Sequence, residues 1–95
     1  MGQLRKDMSE LDRVGQAGDW CFEGDDLGMF IRYGASFEQT VHVYIHPEME
    51  GHWQWDGNRE APTLSPSIRV HYQGEDGQDV ELWHGFLRAG SLETA

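Results

Sequence analysis

The stretch Asn58 to Tyr72 reads NREAPTLSPSIRVHY and sets a serine on each side of Pro66. Ser65 and Ser67 are the side chains in it that could attack an acyl carbon. A nucleophilic serine needs a base within hydrogen-bond reach and a pair of donors for the oxyanion. The chain has no GxSxG elbow to supply that arrangement locally. If the segment is extended, Thr63, Ser65 and Ser67 share one face, and Leu64, Pro66 and Ile68 the other. His71 falls on the serine face but about 13 Å from Ser67 at ~3.3 Å per residue, so it cannot be the base. The base must come from another strand, from His84 or His42. The competing expectation is structural: prolines that stiffen a turn and hydroxyls that satisfy main-chain groups.

Histidines could also hold a metal. His42 and His46, four apart on a strand, lie about 13 Å from each other, whereas zinc takes nitrogen ligands at ~2.0–2.1 Å. One of the two would have to join His84 from a neighbouring strand. Zinc at His42 and His84 is thus the one cofactor alternative to an expectation of none. His84 alternates with Val80, Leu82 and Phe86, which predicts a hydrogen-bonded histidine inside or at the edge of the core. Trp53 and Trp55 share a strand face, either as a stacking platform for a partner or as cover for a small sheet. Asp25, Asp26, Glu75 and Asp76 read as solvated turns. Should they converge, they would form a carboxylate surface for a basic partner.

These residues need elements to hold them. Leu4, Met8, Leu11 and Val14 recur at helical spacing, predicting an amphipathic helix over 3–15 that Gly15 and Gly18 end. From Gly18 onward the pattern becomes short aromatic and β-branched runs between turn residues, predicting a β domain over 19–94. Val41, Val43 and Ile45 alternate with His42, Tyr44 and His46. Ile68, Val70 and Tyr72 alternate with Ser67, Arg69 and His71. Asp56-Gly57 marks a tight turn, and Ala89-Gly90 a two-residue hairpin. The expected fold is a single mainly β (α+β) domain. It would form a small antiparallel sheet, sandwich or partly open barrel of about five to seven short strands, with one N-terminal helix.

Ninety-five residues suit one thin core, and four Trp, four Phe and three Tyr are expected to furnish most of it. Seven Lys and Arg against seventeen Asp and Glu give a net charge of −10. Such a surface repels phosphate backbones and anionic lipid, so neither direct nucleic-acid nor membrane binding is expected. The acidity either keeps a small protein soluble or serves a protein partner with a basic surface. The single Cys21 allows no internal disulfide, and no signal or membrane-spanning run appears, which predicts a cytoplasmic protein.

The run WQWDGNREAPTLSPSIRV followed by HGFLRAGSLE resembles a family of small uncharacterised bacterial and phage proteins, some misnamed ammonia monooxygenase. Their frame reads W-x-W/F-N/D-G, then P-T-x-S-P-S-I, then a Cys-His pair. The resemblance implies a small β fold in which Pro62, Pro66 and Ser67 form a fixed element. The family's thiols are absent: Trp83-His84 stands for Cys-His, and no C-P-x-C segment precedes Trp53. A remoter likeness, through Pro66-Ser67-Ile68 and a later histidine, is to serine peptidases of bacterial ubiquitin-like operons. The leading expectation is a small acidic protein of phage or mobile-element type that binds, and thereby inhibits, a basic host protein of defence or nucleic-acid handling. The alternative is a serine/histidine hydrolase, or a metal-binding protein, built on Ser67 and His84.

Overall fold

A computed structural model describes residues 1–95. The chain forms one short helix, α1 (Met8–Arg13), and eight strands: β1 (Trp20–Phe22), β2 (Gly28–Arg32), β3 (Thr40–Tyr44), β4 (Gln54–Trp55), β5 (Leu64–Ser65), β6 (Ile68–Gln73), β7 (Asp79–Arg88) and β8 (Ser91–Thr94). They make three open antiparallel sheets, β1-β2-β3, β4-β5 and β6-β7-β8. The fold is mainly β with one N-terminal helix, as the sequence predicts. β5 is the strand that sequence patterning left out, because two residues inside a proline-rich segment carry no alternation.

The helix is shorter than 3–15. Asp7 caps it by accepting from the Glu10 N–H at 2.9 Å, and Glu10 accepts in turn from the Lys6 N–H at 3.0 Å. Upstream, the chain is extended: Arg5 N–H donates to the Trp20 carbonyl at 2.7 Å, and Trp20 N–H to the Gln3 carbonyl at 3.2 Å. Pairing with β1 therefore overrides the helical spacing of Leu4. Only Leu11 of the four spaced residues is fully buried, while Leu4 and Val14 are exposed. Arg32, itself buried, closes the helix by donating to the carbonyls of Leu11 at 3.0 Å and Gly15 at 2.7 Å.

The central core consists of Trp20, Met29, Ile31, Val43, Ile45, Leu64, Ile68 and Leu87. The expectation that aromatics furnish most of it is corrected, since Trp20 is the one aromatic among these buried residues. Phe22, Trp53, Trp55 and Trp83 pack around it half-buried. The indoles of Trp20, Trp53 and Trp55 each donate to a main-chain carbonyl, which keeps the Trp53 and Trp55 rings at the core margin.

A one-residue bulge decides which way His84 faces. At the tip of the β6–β7 hairpin, Gln73 is opposite Asp79 and Tyr72 opposite Val80. Continued without interruption, that register would set Ile68 against His84 on the core face. The ladder shifts between Val70 and His71, leaving Leu82 unpaired, so Val70 meets Trp83 and Ile68 meets Gly85. A slip of one residue exchanges the faces of a strand. His84 therefore turns away from the core, and the predicted core face of Val80, Leu82, His84 and Phe86 is corrected. Gly85 and Leu87 are buried, while Val80 and Leu82 are exposed.

The predicted two-residue turn is present. Ala89 and Gly90 both take positive φ, 48° and 78°, as the tight hairpin turn between Arg88 and Ser91 requires.

Candidate functional site

Ser67 sits immediately before β6, between two buried anchors, Leu64 and Ile68. The segment leading to it is clasped from several sides. Asp56 accepts from the N–H groups of Asn58 at 3.0 Å and Thr63 at 3.2 Å, and Asn58 accepts from those of Glu60 and Ala61. The Thr63 hydroxyl accepts from the Ala89 N–H at 2.9 Å, and the Pro62 carbonyl accepts from the Gly90 N–H at 2.9 Å. Of the three hydroxyls, that of Thr63 satisfies a main-chain group, and together with the Pro62 carbonyl it fastens the serine segment to the β7–β8 turn. Finally, the Trp53 indole N–H donates to the Ser67 carbonyl at 3.3 Å.

From the other strand, His84 points back across the sheet. Its Nε2 lies 3.0 Å from Ser67 Oγ, with both residues partly buried. That is the distance at which a hydroxyl donates to the neutral imidazole of a general base. The other ring nitrogen makes no hydrogen bond or ion pair within the protein. Around the pair on the same sheet face stand Phe86, whose ring centroid is 6.4 Å from that of His84, and Arg88, whose guanidinium lies 4.2 Å from the Phe86 centroid. Arg69, opposite His84, pairs with Glu81 at 3.1 Å, and Arg88 pairs with Glu93 at 3.0 Å. The arrangement can activate a serine hydroxyl toward an acyl carbon.

A scan of family profiles matches residues 12–95 to the family described as bacterial ubiquitination-like system serine protease (BubE). The chain belongs to this family. No curated protein and no solved structure matches it. Membership in the BubE family agrees in kind with the likeness carried by Pro66-Ser67-Ile68 and a later histidine.

The other predicted residues of this BubE family member lie elsewhere. Ser65, on β5, is exposed and lines a shallow depression of about 230 Å³ with Gln54, Trp55, Asp56 and Thr63, none of which is a base of imidazole type. His42 pairs with Glu23 at 2.9 Å and stacks on Phe30, so it serves β3 and not the serine. No group of three or more His, Cys, Asp or Glu side chains is placed to hold a metal ion. Trp53 and Trp55 pack against the core instead of standing free as a platform. Asp25 and Asp26 form a turn after β1, where Asp26 pairs with Arg59 at 2.5 Å. Glu75 and Asp76 occupy the β6–β7 hairpin tip, where Asp76 accepts from the Gln78 N–H at 3.1 Å. Cys21 is fully buried, and burial first, then the charge of Asp7, pushes its thiol up to about 11. It offers no rival nucleophile. No helix is long and apolar enough to cross a membrane.

Sequence reasoning missed Trp53 as the residue that holds the serine main chain. The signal was there, since an indole has one donor that must find an acceptor when half-buried. Trp53→Phe keeps the packing and removes the donor. With Ser67 as a nucleophile, the change is expected to lower kcat for ester hydrolysis about three- to tenfold with KM little changed, measured by steady-state kinetics.

Proposed function

We propose that this protein is a serine hydrolase that cleaves an acyl bond in a protein substrate, with Ser67 as nucleophile and His84 as general base. The observation that carries the reading is the 3.0 Å contact between Ser67 Oγ and His84 Nε2, made by residues 17 apart in sequence. The BubE family description, a serine protease of a ubiquitination-like system, supports the same chemistry. The binding-protein expectation rests on the net charge of −10 and the small size, both of which a small acidic protease accommodates equally well.

In the proposed reaction, Ser67 Oγ attacks the substrate carbonyl as His84 Nε2 accepts the hydroxyl proton. His84 then passes that proton to the departing amine or alcohol, leaving an acyl group on Ser67. Water attacks the acyl-serine, His84 takes one proton from it, and the proton returns to Ser67 Oγ as the acid leaves. His84 needs its free lone pair on Nε2, which requires the ring proton on Nδ1, the nitrogen that makes no bond within the protein.

A fluorophosphonate probe tests the assignment. Wild-type protein should become labelled on the peptide containing Ser67, and His84→Ala should slow labelling about 100-fold or more. Labelling that maps to Ser65, or that proceeds at the same rate without His84, contradicts the reading.

A further inference from the structure

Beyond the Ser67–His84 pair, β6 has an unused hydrogen-bonding edge. The β6-β7-β8 sheet ends at β6, which pairs with β7 alone. Which main-chain groups face outward follows from the ladder. The Ala95 N–H donates to the His84 carbonyl at 2.9 Å, so His84 spends its main-chain groups on the β8 side. By the alternation of an antiparallel pair, Gly85 and Trp83 turn theirs to Ile68 and Val70, and Arg69 is left pointing away from β7. At the hairpin tip the Gly74 N–H donates to the Gln78 carbonyl at 2.7 Å, which makes Tyr72 inward-facing and His71 and Gln73 outward-facing. No main-chain hydrogen bond outside the strands uses Arg69, His71 or Gln73. An open edge of this kind is a template for another strand.

The edge also carries uncovered apolar surface. Tyr72 is 52% exposed, its cross-strand partner Val80 37%, and the bulged Leu82 51%. These residues continue the core side of the sheet past the last core contact, onto an arm with nothing beneath it. On the opposite face Arg69 pairs with Glu81, and His71 Nδ1 lies 3.4 Å from Asp79, so these side chains reach across the two strands instead of over the edge.

We propose that β6 is the docking strand for the substrate: an extended protein segment adds antiparallel to its free edge and delivers its acyl carbonyl to Ser67. The proposal rests on the reading of Ser67 and His84 as a hydrolytic pair. Direction follows from geometry. A strand antiparallel to β6 runs from Gln73 toward Ser67, so the residues on the N-terminal side of the attacked carbonyl lie along β6. Arg69 to Gln73 spans about 13 Å, enough for about four residues. Alternate side chains of the segment would pack beside Tyr72 on the face it shares with Ile68 and Val70.

The test compares kcat/KM for p-nitrophenyl acetate with that for p-nitrophenyl esters of N-acylated peptides extending to about five residues. The ratio of peptide ester to acetate is expected to rise about tenfold or more with acyl length, and His71→Pro, which removes an outward N–H and bars strand addition, should cancel the rise. A flat length dependence, or a rise that survives His71→Pro, overturns the docking proposal while leaving the hydrolase reading intact. Absence of Ser67-dependent turnover of either ester overturns both. Hydrogen exchange guards against a misfolded proline variant. With Ser67→Ala protein and the free pentapeptide acid, the Arg69 and His71 amides should gain protection, and unchanged exchange there also overturns the proposal.

Discussion

Ser67→Ala is expected to lower kcat for acyl hydrolysis by about 10³-fold or more, because it removes the atom that forms the acyl intermediate. The fold should survive. The hydroxyl makes one side-chain hydrogen bond, to His84, and such a bond contributes about 1 kcal/mol. In a domain this small that corresponds to about 4–8 °C in Tm. Leu64 and Ile68, which anchor the segment on either side, are untouched. Thermal unfolding measured beside the kinetics separates lost chemistry from lost structure. A variant that keeps its Tm within this range and also keeps turnover would remove Ser67 from the mechanism.

Asp19→Ala carries the largest expected loss of stability. Its side chain is 5% exposed and ties the N-terminal segment to β1. One oxygen accepts from the Gln3 N–H at 2.9 Å, and the other from the Gln16 N–H at 2.9 Å and Arg5 Nε at 2.8 Å. Alanine leaves two amides and a guanidinium without that acceptor at a largely buried point. Losing these hydrogen bonds to a charged acceptor costs about 3 kcal/mol, a large share of the ~5–15 kcal/mol that holds a domain together. Urea titration at neutral pH should show it as a fall in midpoint with little change in slope.

The same carboxylate sets a pH dependence. Burial alone would raise the Asp19 pKa, but the Gln16 N–H, the Arg5 side chain and the Gln3 N–H outweigh it and hold the pKa below its ordinary 3.8. The folded protein therefore binds this proton less readily than the unfolded chain does. Asp19 stabilises the fold fully above the unfolded carboxylate's range, near pH ~4, and that contribution is lost as pH falls through the folded value. The stability gap between wild type and Asp19→Ala should be constant at neutral pH and narrow in acid. A gap that widens in acid would contradict the assignment.

Much of the β architecture is legible in sequence, because alternation and turn chemistry are local. Val43 and Ile45 turn inward while His42 and Tyr44 turn out, and Ala89-Gly90 makes the expected turn. The N-terminal segment is less legible. Leu4 has helical spacing, but its neighbours pair with Trp20, and nothing local announces a main-chain partner 16 residues away. The candidate site divides along the same line. Ser67 and His84 are both visible as residues, and the need for a base from another strand is clear from the distance to His71. That His84, and not His42, reaches Ser67 depends on the unpaired Leu82, which rotates His84 from the core face onto the serine face. With the bulge in place Leu87 is fully buried and Trp83 packs against the core, contacts that no local pattern announces. Gly85 has a part in it too: a Cβ there would meet the Glu93 carbonyl at 2.3 Å and the Trp83 ring at 2.5 Å.

The central claim is that Ser67 and His84 act as one unit, and a double-mutant cycle on kcat for ester hydrolysis measures that most directly. Residues of a catalytic unit are non-additive, because once one is gone the other has nothing left to do. The account predicts a loss of about 10³-fold for Ser67→Ala and about 10²-fold or more for His84→Ala, with the double variant no worse than Ser67→Ala. Losses that multiply in the double variant would show that the two residues do not act as a unit, and a His84→Ala protein with wild-type turnover would show that the 3.0 Å contact does no chemistry.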